Sequence, residues 1–161
     1  MTLDAAMFRR VLGGFASGVT VVTTRTGADQ PVGLTVSSFA SLSLAPPLVS
    51  FNVALSSNRH DPLVAAPAFC VNILAADQAE VSNRFARVGG EDPFANTPWH
   101  AGPEGQPVLE GALGWLVCRR WACYAGGDHS ILVGEVVALD TTEQAPLLYF
   151  RGRYGAFVPA S

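Results

Sequence analysis

The sequence predicts a single mainly β domain, in which an antiparallel sheet closes into a barrel with two or three helices on its periphery. Its 161 residues, 49% of them hydrophobic and 14% charged, fit one domain with one core. About seven segments have strand patterns, against two or three with helical spacing, and they do not alternate as in a doubly wound fold. Closing such a sheet removes its exposed edges, which favours a barrel.

The first half of the chain supplies a helix, four strands and a second short helix. The opening helix is predicted over residues 4–16, ending near Gly18, because apolar residues recur there at helical spacing. These residues are Met7, Phe8, Val11, Leu12 and Phe15. Strand patterns lie at 19–24, 31–39, 48–55 and 68–74. A turn at 27–30 makes the first two strands a hairpin, and a short helix is predicted within residues 56–67.

The second half supplies one helix, a long loop and three strands. The helix is predicted over residues 76–87, where Val81 and Phe85 share one face behind an Asp77 cap. Residues 89–107 are rich in Gly and Pro, and they predict an irregular loop that packs on a neighbour or covers a site. Long strands are predicted at 112–124, 130–139 and 146–150.

Composition excludes several classes of function. The net charge is only −3, and the ten Lys and Arg residues form no run, which argues against a nucleic-acid partner. No window approaches the roughly 18 apolar residues of a membrane span. The start Met1-Thr2-Leu3-Asp4 lacks the basic region of a signal peptide, so a cytoplasmic location is expected.

The cysteines and histidines suggest neither a disulfide framework nor a metal site. Cys70 and Cys118 lie in apolar runs and are expected to be small buried residues, and Cys123 completes an odd count without Cys-x-x-Cys spacing. The three histidines, His60, His100 and His129, are far apart in sequence, and no pair has metal-ligand spacing. Nucleotide-binding and hydrolase motifs are absent as well.

Small hydroxyl and amide residues cluster at the ends of the predicted strands. Such groups can hold a phosphate without a lysine-rich patch, and they can equally serve as turn residues and helix caps. The cluster comprises Thr35, Ser37, Ser38, Ser41, Ser50, Asn52, Ser56, Ser57, Asn58 and Asn72.

His129 stands between a glycine turn and an apolar strand. On its own it is either a histidine that satisfies a strand end or a group that contacts a ligand, and Gly126 and Gly127 would allow a ligand close to the backbone. Side chains alternate along an extended segment, so Asp128 is not required to touch His129 and could instead anchor the turn.

Five segments, in order and with ordinary spacing, resemble the short-chain flavin reductase family, which includes the reductase components of two-component flavin monooxygenases. They are "GGFASGVTVVTT" (13–24), "GLTVSSFASLSLAPPLVSF" (33–51), "AFCVNIL" (68–74), "GDHSILVGEV" (127–136) and "PLLYFRGRYG" (146–155). The resemblance implies one domain over residues 1–161, with the fold of an FMN-binding split β-barrel of the Greek-key type.

The resemblance also implies a set of site residues. Flavin contacts would come from Thr35, Val36, Ser37 and Ser38 along the isoalloxazine ring, Ser56, Ser57 and Asn58 at the phosphate, Asn52, Cys70 and Asn72 on neighbouring strands, Arg84 and Phe85 on the second helix, and Tyr154 near the C-terminus. His129 of the Gly-Asp-His motif would lie beside the nicotinamide as the catalytic residue. The chain departs from the common family pattern at residues 35–38, and at residues 58–61, where a frequent threonine is missing.

The activity implied is an NAD(P)H:flavin oxidoreductase. It would reduce FMN or FAD with NADH or NADPH, act as a homodimer, and supply reduced flavin to a partner monooxygenase. Two alternatives share the fold: a flavin carrier without productive hydride transfer, and an enzyme similar to pyridoxamine-phosphate oxidase, which would be expected to show more basic residues.

Overall fold

The computed structural model describes residues 3–160, which form three helices and twelve strands in three sheets. The helices are α1 (Ala5–Leu12), α2 (His60–Ala65) and α3 (Ala79–Ala86). The strands are β1 (Ser17–Gly18), β2 (Thr20–Arg25), β3 (Pro31–Val36), β4 (Ala40–Leu44), β5 (Pro47–Ala54), β6 (Ala68–Ile73), β7 (Trp99–Ala101), β8 (Pro107–Leu109), β9 (Gly114–Gly126), β10 (His129–Thr141), β11 (Leu148–Phe150) and β12 (Arg153–Gly155). Residues 1, 2 and 161 of the expected domain lie outside this description.

The main sheet has seven strands in the order β3-β2-β6-β9-β10-β5-β4, and every neighbouring pair is antiparallel. The prediction of a mainly β, antiparallel fold with up to three helices is therefore confirmed. Within residues 3–160 the pairing stops at β3 and β4, so closure into a barrel stays a prediction. One side of the β3 backbone consequently has no partner strand.

The core shows that this sheet curls. One cluster of buried side chains joins Val36 of β3, near one edge, to Val49 of β5, beside the other edge. Phe51 and Phe69 meet edge to face at its centre, with ring centroids 5.1 Å apart. Leu63 of α2 is fully buried in the same cluster. Side chains from both ends of the strand order therefore share one core, and α2 covers it on one side.

The longest hairpin joins β9 to β10 and presents the Gly-Asp-His motif at its tip. Its register pairs Gly126 with His129, which leaves Gly127 and Asp128 as a two-residue turn. Gly127 has a φ of +70°, the left-handed conformation that primed hairpin turns require and that glycine adopts without a Cβ penalty. The strands predicted at 112–124 and 130–139 are confirmed, and the hairpin fixes where the motif lies.

Several local predictions differ from the structure. The opening helix ends at Leu12, with Asp4 capping it by accepting from the Ala6 N–H at 2.9 Å. The Asp77 cap is wrong, because α3 begins after Gln78, whose side-chain oxygen accepts from the Ala75 N–H. The strands β1, β4 and β12 are too short or too polar for their patterns to predict them.

The loop predicted over residues 89–107 is partly ordered into a hairpin. β7 and β8 pair with each other, and Phe94 and Trp99 bury their rings edge to face, with centroids 6.1 Å apart. Phe94 packs in turn on Phe85 of α3 at 4.9 Å. The segment thus packs on a neighbouring helix, one of the two roles expected of it.

Helix α1 keeps its apolar side chains in solvent, contrary to the usual role of an amphipathic helix. Each is at least half exposed: Met7, Phe8, Val11 and Leu12, and so is Phe15 just after the helix. No residue of α1 is buried, although its apolar positions follow helical spacing. The spacing predicted the helix correctly but not what covers it.

Thiol labelling is expected to modify one cysteine in the folded protein and three after denaturation. Burial raises the pKa of both Cys70 and Cys118 to about 12, so each stays a neutral, shielded thiol near pH 8. Cys123 is exposed on β9. A chromogenic disulfide reagent at pH 8, with and without denaturant, counts the two classes, and rapid reaction of two or more thiols in the folded protein would contradict the burial.

Candidate active site along the edge of strand β3

Two adjoining cavities lie at the end of β3. The His129 cavity, of about 440 Å³, is lined by Ser38, Asn52, Ser57 and His129, among other residues. The Tyr154 cavity, of about 400 Å³, is lined by Ser82, Asn83, Tyr149 and Tyr154, among others. Both cavities share Leu34, Thr35 and Ser37. The two therefore form one groove divided by the last residues of β3 and the loop after it.

Two hydrogen bonds hold that loop. The Thr35 hydroxyl donates to the carbonyl oxygen of Ser82 on α3 at 2.6 Å. The Ser38 hydroxyl oxygen accepts from the Asn52 N–H on β5 at 2.9 Å. Between them the Ser37 hydroxyl has no hydrogen-bond partner within residues 3–160. The loop is thus anchored on both sides, and Ser37 is left to bind a ligand.

His129 lines the first cavity from the start of β10, where its side chain is 43% exposed. Its Nδ1 lies 2.7 Å from Oδ1 of Asp128. The two side chains are therefore in contact, although the alternation of side chains along a strand did not require it. The hydrogen bond and charge of His129 lower the pKa of the Asp128 carboxyl below its ordinary value. Because an ionised carboxylate only accepts, Nδ1 carries a proton and Nε2 is the nitrogen left for a ligand.

Ser57 enters the same cavity from the segment between β5 and α2. Its hydroxyl oxygen accepts from the Arg59 N–H at 3.2 Å, which orients the side chain, while its own O–H can donate. The two neighbours predicted to act with it do not line the groove. Ser56 lines neither cavity, and Asn58 lies in a different depression, with Pro31 and Asp92.

Tyr154 forms a polar and aromatic wall in the second cavity. Its phenol oxygen lies 2.8 Å from Ser82 Oγ and 2.9 Å from Asn83 Oδ1. Since Asn83 Oδ1 can only accept, the phenol donates to it and the Ser82 hydroxyl donates to the phenol. The rings of Tyr149 and Tyr154 lie 5.7 Å apart. These contacts fix the ring orientation, and they identify Ser82, Asn83 and Tyr149 as site residues that the sequence analysis missed.

Four further predicted flavin contacts lie away from the groove: Cys70, Asn72, Arg84 and Phe85. Asn72 is fully buried and joins strands, donating to the Val21 carbonyl and accepting from the Leu109 N–H. Cys70 is buried beside it. The structure therefore makes Cys70 and Asn72 core residues.

The Arg84-Phe85 pair of α3 also has structural partners. The Arg84 guanidinium donates to the carbonyl oxygen of Asn96 at 2.6 Å and pairs with Glu80 at 3.3 Å. Phe85 is fully buried beneath Gly33, where an added Cβ would lie 2.5 Å from its ring. Both residues line neither cavity.

The described residues offer little for other chemistries. Residues 3–160 hold no cluster of three or more His, Cys, Asp or Glu side chains arranged to bind a metal ion. The longest helices in this part of the chain have eight residues, and none is long and apolar enough to span a membrane.

Comparison with known proteins gives one consistent result. The family model described as flavin reductase like domain matches residues 12–157. The chain is similar to the FMN reductase (NADH) SmoA of Agrobacterium fabrum, with 45% identity over 154 residues, covering 96% of this chain and 87% of that protein. It is also similar to the reductase subunit HsaB of a flavin-dependent monooxygenase from Mycobacterium tuberculosis, with 40% identity, covering 98% and 84%.

A solved structure agrees with these relatives. The NADH:FAD oxidoreductase SgcE6 of Streptomyces globisporus, in complex with NAD and FAD fragments, superimposes with a TM-score of 0.91 and 39% identity. The match covers 97% of this chain and 94% of that one.

Proposed function

The chain belongs to the flavin reductase-like domain family, and we propose that it is an NADH-dependent flavin reductase that reduces FMN or FAD and supplies the reduced flavin to a partner monooxygenase. The observation that carries this proposal is the meeting of Ser37, Ser57 and His129 in one cavity along an unpaired strand edge. The names of the relatives support the donor and the role: one is an NADH-dependent FMN reductase and another is a monooxygenase reductase subunit.

The residues present fit a flavin and a nicotinamide nucleotide. Each cavity falls within the roughly 300–1,000 Å³ typical of small-molecule sites, and the two are continuous. The groove offers hydroxyls, an amide and unpaired backbone groups, which suit the polar edge of an isoalloxazine ring and a phosphate. Flavin and nicotinamide supply the hydride chemistry when bound, and the protein supplies binding and orientation.

Each part of the groove has a separate task. Ser37 and the backbone of residues 35–38 bind the polar edge of the flavin ring, because the loop is anchored and faces the cavity. Ser57 donates its hydroxyl to the phosphate. Tyr154 forms a wall in the second cavity, with its ring held by Ser82 and Asn83.

His129 is the catalytic residue in this proposal. Its Nδ1 is held by Asp128, so Nε2 is the available ring nitrogen, which contacts the nicotinamide or donates a hydrogen bond as reduced flavin forms. An imidazole ring can donate or accept a hydrogen bond at its ring nitrogens. The Asp128 contact fixes which nitrogen is available for this role.

The same proposal includes the type of fold and the cellular location. The curled seven-stranded sheet is a split barrel of the Greek-key type, supported by a core that joins side chains near both of its edges. The protein works in the cytoplasm, supported by three cysteines that are all free, as is typical of a reducing compartment.

The enzyme is a homodimer that covers the apolar face of α1 with a second copy. That face leaves Phe8 half exposed, and Val11 two thirds exposed, in a single chain, which would be unfavourable unless covered. Light scattering at micromolar concentration is expected to give the mass of two chains. Phe8→Glu should shift it toward one chain, whereas Val88→Glu, at an exposed apolar residue outside α1, should not. A monomeric parent protein would contradict the proposal.

The deciding experiment follows NADH absorbance with purified protein in the presence of FMN, FAD or riboflavin. Flavin-dependent, multiple-turnover NADH oxidation is expected, and NADPH serves as the comparison donor. Flavin binding without turnover would instead favour the carrier alternative. The same assay, coupled to cytochrome c reduction, shows whether reduced flavin leaves the enzyme.

Replacing Ser37 or Ser57 by alanine is expected to weaken flavin binding more than it slows turnover at saturating flavin. A hydrogen bond to a neutral group contributes about 1 kcal/mol and one to a charged phosphate about 1.5–3 kcal/mol. Fluorescence titration with FMN and riboflavin separates the two sites. Ser57→Ala should lose affinity for FMN only, and Ser37→Ala should lose affinity for both. Ser56→Ala, beside Ser57 but outside the groove, is the matched control, and parent-like affinity in both site variants would contradict these assignments.

A further inference from the structure

His60, in the first turn of α2, makes two hydrogen bonds that the proposed chemistry does not use. Its side chain is only 14% exposed. Nδ1 lies 2.8 Å from Oδ1 of Asp61, and Nε2 lies 2.9 Å from Oγ of Ser130. Ser130 is buried on β10 and directly follows His129 in the chain. A nearly buried imidazole thus connects the helix after Ser57 to the strand that carries His129.

The donors and acceptors of this contact follow from the Asp61 carboxylate. Because the carboxylate only accepts, Nδ1 of His60 carries the proton, and in the neutral ring Nε2 accepts from the Ser130 hydroxyl. Both ring nitrogens are therefore engaged. The ring cannot rotate without losing two hydrogen bonds, so its orientation is fixed from both sides.

A second hydrogen bond joins the same two parts of the chain, and it lies on the N-terminal side of His129. The Leu55 N–H donates to the carbonyl oxygen of Asp128 at 2.9 Å. The segment 55–60, which contains Ser57, is thereby joined to the segment 128–130 both before and after His129. The β5–β10 ladder already pairs His129 with Ala54, and these two links extend that pairing from the end of β5 toward Ser57 and α2.

We propose that His60 is a positioning residue. Through its hydrogen bond to Ser130, it holds His129 at a fixed position relative to Ser57, the proposed contact of the flavin phosphate. This inference rests on the proposed function, because it assigns His60 a role in aligning the nicotinamide with the flavin.

A nucleophilic role for the same three residues is excluded by burial. Asp61, His60 and Ser130 have the order of hydrogen bonds found in a hydrolase triad. Ser130, however, is only 8% exposed and lines neither cavity of the groove. A substrate cannot reach its hydroxyl, so the network acts on the position of the strand.

The first test compares kinetics and flavin binding in variants of the full-length protein. Ser130→Ala and His60→Leu each remove the bond, and each is expected to lower kcat/KM for NADH about fivefold, the worth of one neutral hydrogen bond. The Kd for FMN should stay within twofold, because the contacts of Ser57 remain. His60→Gln, whose amide can reach Ser130, should restore most of the activity.

His100→Leu is the matched control for the loss of a histidine paired with a carboxylate. His100 pairs with Glu110 at 2.7 Å and lines neither cavity of the groove. It should keep the parental kinetics. A fall in kcat/KM equal to that of His60→Leu would show a general loss of stability and would overturn the proposal.

A double variant tests whether the effect passes through His129. In the His129→Ala background, adding Ser130→Ala should cause no further loss of kcat/KM, because the residue being positioned is gone. A further fivefold loss would contradict the proposal. An FMN Kd that rises as much as the kinetic effect would contradict it too.

Hydrogen exchange of the ligand-free protein gives a readout that is independent of activity. Ser130→Ala should speed exchange about fivefold at the Leu55 amide and in residues 128–131, and leave the turn closed by the Thr26 N–H unchanged. Unchanged exchange at Leu55 would overturn the link between the segments. If the parent protein oxidised no NADH, the proposed function would fail, while the exchange data would still decide whether the link exists.

Discussion

His129→Ala is expected to lower kcat/KM for NADH by roughly tenfold to a hundredfold, the worth of one hydrogen bond to a charged group, about 1.5–3 kcal/mol. His129 lines the cavity, and Asp128 holds its Nδ1 at 2.7 Å, which leaves Nε2 as the ring nitrogen available to a ligand. The loss should appear as a higher KM, a lower kcat, or both. The flavin Kd should stay within twofold of the parent, because the proposed flavin contacts are Ser37 and Ser57. Steady-state kinetics combined with fluorescence titration measure both quantities.

The pH dependence separates the role of His129 from that of its partner. The hydrogen bond and charge of His129 lower the pKa of Asp128, so the pair is intact above the ordinary aspartate value of about 3.9 and is lost as pH falls through the lowered value. Asp128 therefore does not titrate between pH 5 and 9. Asp128→Asn should lose less activity than His129→Ala. Parent-like kinetics of His129→Ala across that range, with only lower stability, would make the imidazole structural.

The sequence predicted the parts of the site that lie on turns better than the parts that lie on strands. Ser37, Ser38 and Ser57 follow or precede regular elements, and the structure brings all three into one groove. Turn residues leave the sheet, so their side chains have few partners within it and remain available to a ligand. Their positions follow from element boundaries, which the hydrophobic pattern predicts.

Asn72 shows where strand reasoning fails. A polar residue inside an apolar strand either contacts a ligand or makes buried hydrogen bonds. The sequence pattern of β6 is the same in both cases. In the structure β6 lies between β2 and β9. The side-chain amide of Asn72 therefore makes hydrogen bonds to the backbone of Val21 and Leu109 instead of facing a cavity. Sheet order decides this, and sheet order depends on contacts between segments far apart in sequence.

Ser82, Asn83 and Tyr149 were missed for a related reason. The inner face of α3 is set by Phe85, one turn from Ser82, so helical spacing alone places Ser82 inward. The Ser82 hydroxyl contacts the phenol of Tyr154, which lies 72 residues later in the chain. The signal for a buried serine was present in the spacing, whereas its phenol partner comes from the separate sheet of β1, β11 and β12.

Gly134→Ala is expected to be among the most destabilising single substitutions in the chain. An added Cβ would lie 2.4 Å from a ring carbon of Phe69 and 2.7 Å from the Cβ of Cys118. Phe69 is fully buried against Phe51, and the Cβ of Cys118 is fixed to the backbone of β9, so neither atom has room to move. Overpacking of this kind costs about 3 kcal/mol. Urea unfolding monitored by tryptophan fluorescence measures the loss.

Gly18→Ala is the matched control, because a Cβ at Gly18 meets nothing within 4 Å and its φ is not in the left-handed region. Its free energy of unfolding should stay within about 0.5 kcal/mol of the parent, as for other open sites. The register shift between Val133 and Gly134 places the glycine at a β-bulge, close to Phe69 of β6 and Cys118 of β9. A parent-like Gly134→Ala protein would mean that the strand moves outward to make room. Since His129 begins the same strand, such a movement would also appear as a lower kcat/KM for NADH.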